Sequence, residues 1–483
     1  MLPAICCRVR KVCAAAFDLQ HASAKRRYPQ KMSRFQDTIA ALATPMGTSA
    51  IALLRVSGGD GAKVAQNIFG TTPPPRVAQH GDYHERGGGL IDDVLFTFFR
   101  GPHSYTGEDS LEISCHGNPF IAQKILEDLI ARGCRLAEPG EFTKRAFLNG
   151  RMDLSQAEAV MDLISARSER ALAAANRQLR GSLGKQMGAL VDRLLGVIVR
   201  VEAYIDFPEE DLPPEDRGFF LRELSSLASD TDRLLATSHY GELLRDGIKT
   251  VIVGAPNVGK SSLLNRLVGR ERALVSPEPG TTRDFIEERI LVGPHCLRII
   301  DTAGLNPSPA PLEKLGMEKT VECIEEADLL LVVLDSNDLC ASVPHELNND
   351  AARDKSLIIL NKNDLIHNNS TVRQFPYVPH GISVSALTGS GIETLVEAIS
   401  AHADRFRDGN DEESVAINAR HSSALKISRD CLNAALIKLD VNTPMELLAS
   451  DLRQILAAYG EIVGKVNNEE MLDRLFSTFC IGK

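Results

Sequence analysis

A chain of 483 residues, 43% hydrophobic and 24% charged, is long enough for about three domains and ordinary in composition for a soluble globular protein. Its net charge of −10 excludes a global basic field for nucleic acid, so any RNA contact must come from a local patch. The longest aliphatic run, Leu329–Leu334, reads as a buried strand, far short of the ~20 residues that span a bilayer, and no stable membrane association is expected. The ten cysteines contain no CxxC pair and no metal-ligand spacing, which fits a reducing compartment better than a disulfide framework.

Residues 1–34 stand apart, with eight Lys/Arg and a single acid, Asp18. They read as a mitochondrial transit peptide or as an over-extended gene start with Met32 the initiator. No clear amphipathic helix can be drawn through residues 1–31, which favours the second reading and a cytoplasmic protein. Residues 35–151 mix strand-like runs (Ile51–Val56, Val94–Phe99, Leu111–Ser114) with a helix near Phe120–Arg132 and the turn signals Pro73-Pro74-Pro75 and Gly87-Gly88-Gly89, an α+β pattern. Residues 152–246 read as helical. Ser155–Glu158 resembles a capping box, and Leu183, Met187, Leu190, Leu194, Ile198, Val201 and Ile205 recur at the spacing of one face of a long helix that should stop at Phe207-Pro208. Residues 247–402 alternate strand, loop and helix, the mark of a parallel α/β domain. In residues 403–483 a charged linker precedes a second helical periodicity through Met445, Leu448, Leu452, Ile455 and Tyr459. Such a tail is small for a core of its own and is expected to pack with residues 152–246, making the α/β domain an insertion in a helical domain.

The chemistry concentrates in the α/β block. The strand Ile248–Val253 leads into Gly254-Ala255-Pro256-Asn257-Val258-Gly259-Lys260-Ser261-Ser262, the P-loop pattern, with helical sequence after it. Glycines let backbone N–H groups close around phosphates, Lys260 neutralises β/γ charge, and the Ser261 hydroxyl suits Mg²⁺. Asp301-Thr302-Ala303-Gly304 follows a strand, its carboxylate suited to Mg²⁺ through water and its glycine N–H to a γ-phosphate. Asn361-Lys362-Asn363-Asp364 ends another strand, and a carboxylate there can accept both N–H donors of guanine, which adenine lacks. Ser385-Ala386 fits the loop that backs the base, and Thr281-Thr282 offers the hydroxyl that closes over Mg²⁺ in the triphosphate state. The ordered set implies GTP binding and hydrolysis. Leu305 stands where Ras-like switches place a water-orienting Gln, so another polar group must take that task.

Together with Pro279-Gly280-Thr281-Thr282-Arg283-Asp284, Ser104–Asp109, Glu138–Asn149, Ile205–Glu210 and the terminal Phe479-Cys480-Ile481-Gly482-Lys483, these motifs resemble the MnmE (TrmE) family of tRNA modification GTPases from about residue 36 to the end. The resemblance implies a multidomain α+β and α/β architecture: a folate-binding α+β N-domain, then a helical domain with an inserted Ras-like P-loop GTPase domain. It implies a homodimer working with the flavoprotein MnmG, two of each. The pair adds an aminomethyl or carboxymethylaminomethyl group at C5 of the wobble uridine of certain tRNAs. It implies K⁺ at the nucleotide, held by Asn257 and the loop Ser276-Pro277-Glu278-Pro279-Gly280-Thr281, with Mg²⁺ at Ser261 and Thr282. Glu313 would orient the attacking water through a second water, answering the Leu305 problem. A tetrahydrofolate derivative, in 5-formyl or methylene form, would sit at Arg55, Glu112, Arg151 and Lys483, with Cys480 near the one-carbon group. The basic cluster of Lys144, Arg145 and Arg151 reads equally as a contact for tRNA phosphate or folate and as a solvated helix face. Two rival readings share these motifs: a GTPase switch for ribosome assembly, and a folate-dependent aminomethyl transferase clocked by its GTPase domain.

Overall fold

Alternation shapes the first part of the chain. Strand β1 (Ile39–Leu42) lies antiparallel to β2 (Ile51–Ser57), in which Ala52, Leu54 and Val56 are buried while Ile51, Leu53 and Arg55 point to the other face. With β3 (Ala78–His84), β4 (Leu90–Phe99), β5 (Ser110–His116) and β6 (Arg135–Leu136) they form a six-stranded sheet of order β3-β4-β5-β2-β1-β6, antiparallel except where β1 meets β6. Helices α1 (Gly61–Phe69) and α2 (Pro119–Ala131) share one core with the buried face through Val64, Ala65, Ile68, Ile125 and Leu129. Each of the Val, Ile and Leu side chains contributes roughly 1.5–3 kcal/mol on burial. Asn118 caps α2 by accepting from the Phe120 N–H, and Pro119 takes the first helical position, where its missing N–H costs nothing. Helix α3 (Glu141–Leu148) follows β6.

The computed structural model describes residues 37–206, 216–270, 287–301, 322–337, 350–366, 381–406, 415–441, 443–464 and 469–482. The chain divides into two compact units. The first joins residues up to Ala157 with the chain from Gly464 onward, including the C-terminal helix Glu469–Ser477; the second runs from Glu158 to Val463.

Helix α4 (Leu154–Ser165) opens on a capping box, but not the one expected. Asp153 Oδ1 accepts from the Gln156 N–H at 2.8 Å and Gln156 Oε1 from the Asp153 N–H at 3.0 Å, so the box starts two residues before Ser155. Ser155 donates to the same Asp153 carboxylate, and Glu158 is freed for a buried role described below. Helices α5 (Glu169–Leu179), α6 (Ser182–Asp206), α7 (Arg217–Ala236) and α8 (Ser238–Asp246) follow. The stripe from Leu183 to Val201 is the buried face of α6.

After α8 the fold changes to β7 (Ile248–Val253), α9 (Lys260–Arg270), β8 (Glu287–Val292), β9 (His295–Asp301), β10 (Leu329–Asp335), α10 (Asp350–Asp354), β11 (Ser356–Asn361), β12 (Ile382–Ser383) and α11 (Ile392–Asp404). Its sheet has the order β12-β11-β10-β7-β9-β8 and is parallel except for the β8–β9 hairpin. Leu329 to Leu334 are all buried, as a strand covered on both faces requires.

Two long helices then return to the helical part. Leu425 and Leu432 of α12 (Ala419–Asp440) and Leu448, Leu452, Ile455 and Tyr459 of α13 (Met445–Ile462) share one core with α6 and α7. The buried Tyr459 hydroxyl is paired with Thr231 Oγ1 at 2.6 Å. The α/β element is thus inserted between helices that pack on one another. The tail itself divides: α12 and α13 join the helical core, whereas the chain from Gly464 onward belongs to the first unit, which ends its N-terminal part at Ala157.

Candidate functional site

In a parallel sheet the carboxyl ends of the strands form the edge where ligands bind. Here that edge carries the motif residues. Val253 of β7 lies beside Val332 of β10, Ile252 beside Asp301 of β9, and Asp335 of β10 directly opposite Asn361 of β11. The loop from β7 to α9 is wound tightly: Asn257 has φ +65° and Gly259 φ +98°. A β-carbon on Gly259 would lie 2.4 Å from the Asn361 amide nitrogen, so only glycine fits. Lys260 opens α9 and donates to the carbonyls of Gly254 at 2.9 Å and Ala255 at 3.0 Å, which holds its ammonium across the loop where phosphates would sit. Ser261, next on the first helical turn, presents the hydroxyl donor that suits a hard cation.

Asn361 is buried, and its amide ties three motifs together. Nδ2 donates to Val258 O at 2.8 Å, and Oδ1 accepts from the Ala386 N–H at 3.0 Å. Lys362 adopts φ +65° and pairs with Asp335 at 2.7 Å. Burial raises the Asp335 carboxyl, but Lys362 and Asn337 outweigh it and hold it below its ordinary value. Asp364 sits in the short helical turn Asn363–Leu365 and lines an open cavity of about 940 Å³ with Gly259, Ser262, Lys362 and Ala386. The loop behind it is self-braced: Ser385 Oγ accepts from Thr388 N at 3.0 Å, and Ser385 O accepts from Gly389 N at 2.8 Å. Two groups here are not part of any motif. Asp335 could have been found from its place at the carboxyl end of a central strand; Arg266, which donates to the carbonyls of Ala386 and Leu387, carries no sequence signal.

The structure therefore gathers Asn257, Val258, Gly259, Lys260, Ser261, Ser262, Asn361, Lys362, Asp364, Ser385 and Ala386 at one edge, and it places the backbone of Asp301 there too. Ser276, Pro277, Glu278, Pro279, Gly280, Thr281, Thr282, Thr302, Ala303, Gly304, Leu305, Glu313 and Lys483 lie outside the described residues, as do residues 1–36.

In the first unit, Arg55 of β2 and Glu112 of β5 are cross-strand partners joined at 2.8 Å and 3.0 Å. The Arg55 guanidinium lies 5.8 Å from the Tyr105 ring centroid and 6.0 Å from that of Phe142, and donates to Gly482 O at 3.4 Å. Gly482 has φ +92°, and a β-carbon on it would lie 2.6 Å from Leu42 O, so the end of the chain can close onto β1 only as glycine. The Cys480 carbonyl accepts from the Gly140 N–H at 3.3 Å, and Cys480 itself is exposed. The structure thus brings Arg55, Glu112 and the chain terminus together. Arg151 follows α3 and lies against the loop that carries Tyr105: a β-carbon on Gly107 would be 3.3 Å from its Cγ. A cation–carboxylate pair beside two aromatic rings offers a donor, an acceptor and ring faces of the kind that suit a heteroaromatic ligand.

Of the basic cluster, Arg151 is exposed, whereas Arg145 and Lys144 are paired with carboxylates. Arg145 is 1% exposed and bound to Asp37, Glu108 and Glu141, and Lys144 pairs with Asp473 of the C-terminal helix. Burial pushes the Glu141 carboxyl up, but Arg135, the Glu138 N–H and Arg145 outweigh it and hold it below its ordinary value. Arg145 faces inward because Asp37 and Glu108 converge on the Glu141–Arg145 pair of α3, an encounter the sequence pattern does not reveal.

A second buried ionic node lies in the helical part. Glu158 of α4 accepts from Arg420 Nε at 2.7 Å, Arg420 at 3.0 Å, Asn418 Nδ2 at 3.0 Å and His421 Nε2 at 2.8 Å. His421 Nδ1 accepts from the Asn418 N–H at 3.3 Å. Burial lowers the His421 pKa below its ordinary value despite Glu158. Burial alone would raise Glu158; His421 and Arg420 instead bring it to about 2.

Comparison with known proteins gives a consistent result across the chain. Residues 38–151 match the family model described as the GTP-binding protein TrmE N-terminus, and residues 154–480 match that of the MnmE helical domain. A tRNA modification GTPase MnmE from Opitutus terrae is 57% identical over 94% of this chain and 100% of its own. One from Moorella thermoacetica is 43% identical over 92% of this chain and 99% of its own. Among solved structures, the G domain of the T. maritima FeoB iron transporter covers 32% of this chain and 98% of its own, at 25% identity and a TM-score of 0.24.

Proposed function

This chain belongs to the MnmE family of tRNA modification GTPases, and we propose that it runs a K⁺-dependent GTP cycle which, with the flavoprotein MnmG, drives addition of an aminomethyl or carboxymethylaminomethyl group to C5 of the wobble uridine of certain tRNAs. It is a GTP hydrolase acting in tRNA modification. The observation that carries the reading is the carboxyl edge where Gly259, Asn361 and Asp364 line one cavity and Lys260 opens the helix that follows Gly259. Lys260 would exchange its hold on the Gly254 and Ala255 carbonyls for the β- and γ-phosphates. Asp364 would accept the two N–H donors of guanine, and the Ser385–Ala386 turn would back the base.

Mg²⁺ at Ser261 and Thr282, and K⁺ at Asn257, Ser276, Glu278 and Thr281, would neutralise charge on the phosphates when bound. Glu313 would orient the water through a second water. A tetrahydrofolate derivative would sit at Arg55, Glu112, Arg151 and Lys483; the paired Arg55 and Glu112, beside Tyr105 and Phe142, support that assignment. The working assembly would be a homodimer with two MnmG subunits, in the cytoplasm. Among the described residues no helix is long and apolar enough to cross a membrane.

Steady-state hydrolysis in K⁺ against Na⁺, for wild type and Glu313→Ala, tests the cycle. Stimulation by K⁺ that the variant lacks while still binding GTP is the expected result; equal turnover in both salts would overturn the K⁺ assignment, and undiminished turnover in the variant would overturn that of Glu313.

A further inference from the structure

The base-backing loop is held from two sides. From the strand side, Asn361 Oδ1 accepts the Ala386 N–H at 3.0 Å. From the other side, Arg266 reaches across from α9, where Nε donates to Ala386 O at 3.0 Å and its guanidinium also donates to Leu387 O. Ala386 is therefore pinned at both its N–H and its carbonyl, and the two pins come from different elements. Leu387 is 77% exposed, so no packing from its own side chain holds the turn in place. Charge-assisted donation from one planar guanidinium holds two successive carbonyls in a fixed relative geometry.

We propose that Arg266 is a positioning residue for guanine recognition: it latches the Ser385–Leu387 turn to the P-loop helix, so the wall of the base pocket is fixed to the helix that begins with Lys260 and Ser261. Lysine can donate to both carbonyls but lacks the rigid planar fork, and an uncharged side chain loses both donors while leaving two carbonyls to water. The turn then loosens at the base, not at the phosphates, because Lys260 and the glycines before it keep their own contacts. The inference rests on the reading of this edge as a guanine nucleotide site.

The test is calorimetric binding by the full-length protein of GDP, of ADP, and of inorganic triphosphate, which engages the phosphate loop without a base. Arg266→Met should weaken GDP about tenfold, equivalent to about 1.4 kcal/mol, and leave inorganic triphosphate within about twofold of wild type. Arg266→Lys, which keeps charge and helix propensity, should give an intermediate loss of about threefold in GDP and guards against a variant that fails to fold. Unchanged GDP affinity in both variants, or equal losses for GDP and inorganic triphosphate, overturns the latch. A wild type that fails to prefer GDP over ADP would instead overturn the guanine reading beneath it.

Discussion

Glu158→Ala removes the acceptor at the centre of the buried node that ties α4 to the start of α12. The carboxylate receives hydrogen bonds from Asn418, Arg420 and His421. Breaking a buried ion pair by deleting one partner costs about 3–5 kcal/mol, because the other charge is left uncompensated. Arg420 keeps the Glu461 and Ile462 carbonyls at 2.9 Å and 3.1 Å, which places the loss at the lower end, about 3 kcal/mol. Native-state hydrogen exchange read on the amides of α12 and α13 is the assay, since it resolves the helical part within a multidomain chain. The contribution also has a pH window. The Glu158 pKa in the fold, about 2, lies below its ordinary 4.5, so its stabilisation is complete above about pH 4.5 and is lost as pH falls toward 2. Wild type and variant should therefore converge in acid. A loss below about 1 kcal/mol at neutral pH, or a difference that persists at pH 2, would refute the reasoning.

Two further outcomes follow at the nucleotide edge. Gly259→Ala should abolish GDP binding in a fluorescence titration, because the added carbon would displace the Asn361 amide that joins the P-loop to the base turn; affinity within threefold of wild type would contradict this. Asp364→Asn should weaken GTP by about 100-fold while improving xanthosine triphosphate, since an amide can donate to the 2-carbonyl of xanthine where a carboxylate cannot; the check is relative binding of the two nucleotides, and a parallel loss of both would count against Asp364 as the base reader.

Much of this was legible in sequence because short-range rules govern it. The stripe on α6 and the all-apolar β10 follow from periodicity, and the P-loop from glycine spacing, so each survives without knowledge of its neighbours. What sequence did not show depends on long-range encounters. Arg145 reads like a surface cation beside Lys144 because two of its three carboxylate partners, Asp37 and Glu108, come from distant segments, and only Glu141 is local, four residues earlier on the same helix. Glu158 was read as half of a capping box because its Arg420 and His421 partners lie beyond the inserted α/β element. Arg266 met no rule at all: the carbonyls it holds belong to a turn after β12, and backbone acceptors leave no trace in side-chain identity. Conversely, the last five residues, Phe479–Lys483, would ordinarily be dismissed as a frayed end, yet the lack of a side chain at Gly482 lets this segment reach Leu42 and Arg55.

The most direct measurement is nucleoside mass spectrometry of tRNA from cells lacking this protein, complemented with wild type or with Lys260→Ala. The account predicts that wild type restores the C5-modified wobble uridine and that Lys260→Ala, deprived of its phosphate contact, does not. Full restoration by Lys260→Ala, or none by a wild type that hydrolyses GTP in the same cells, would contradict it.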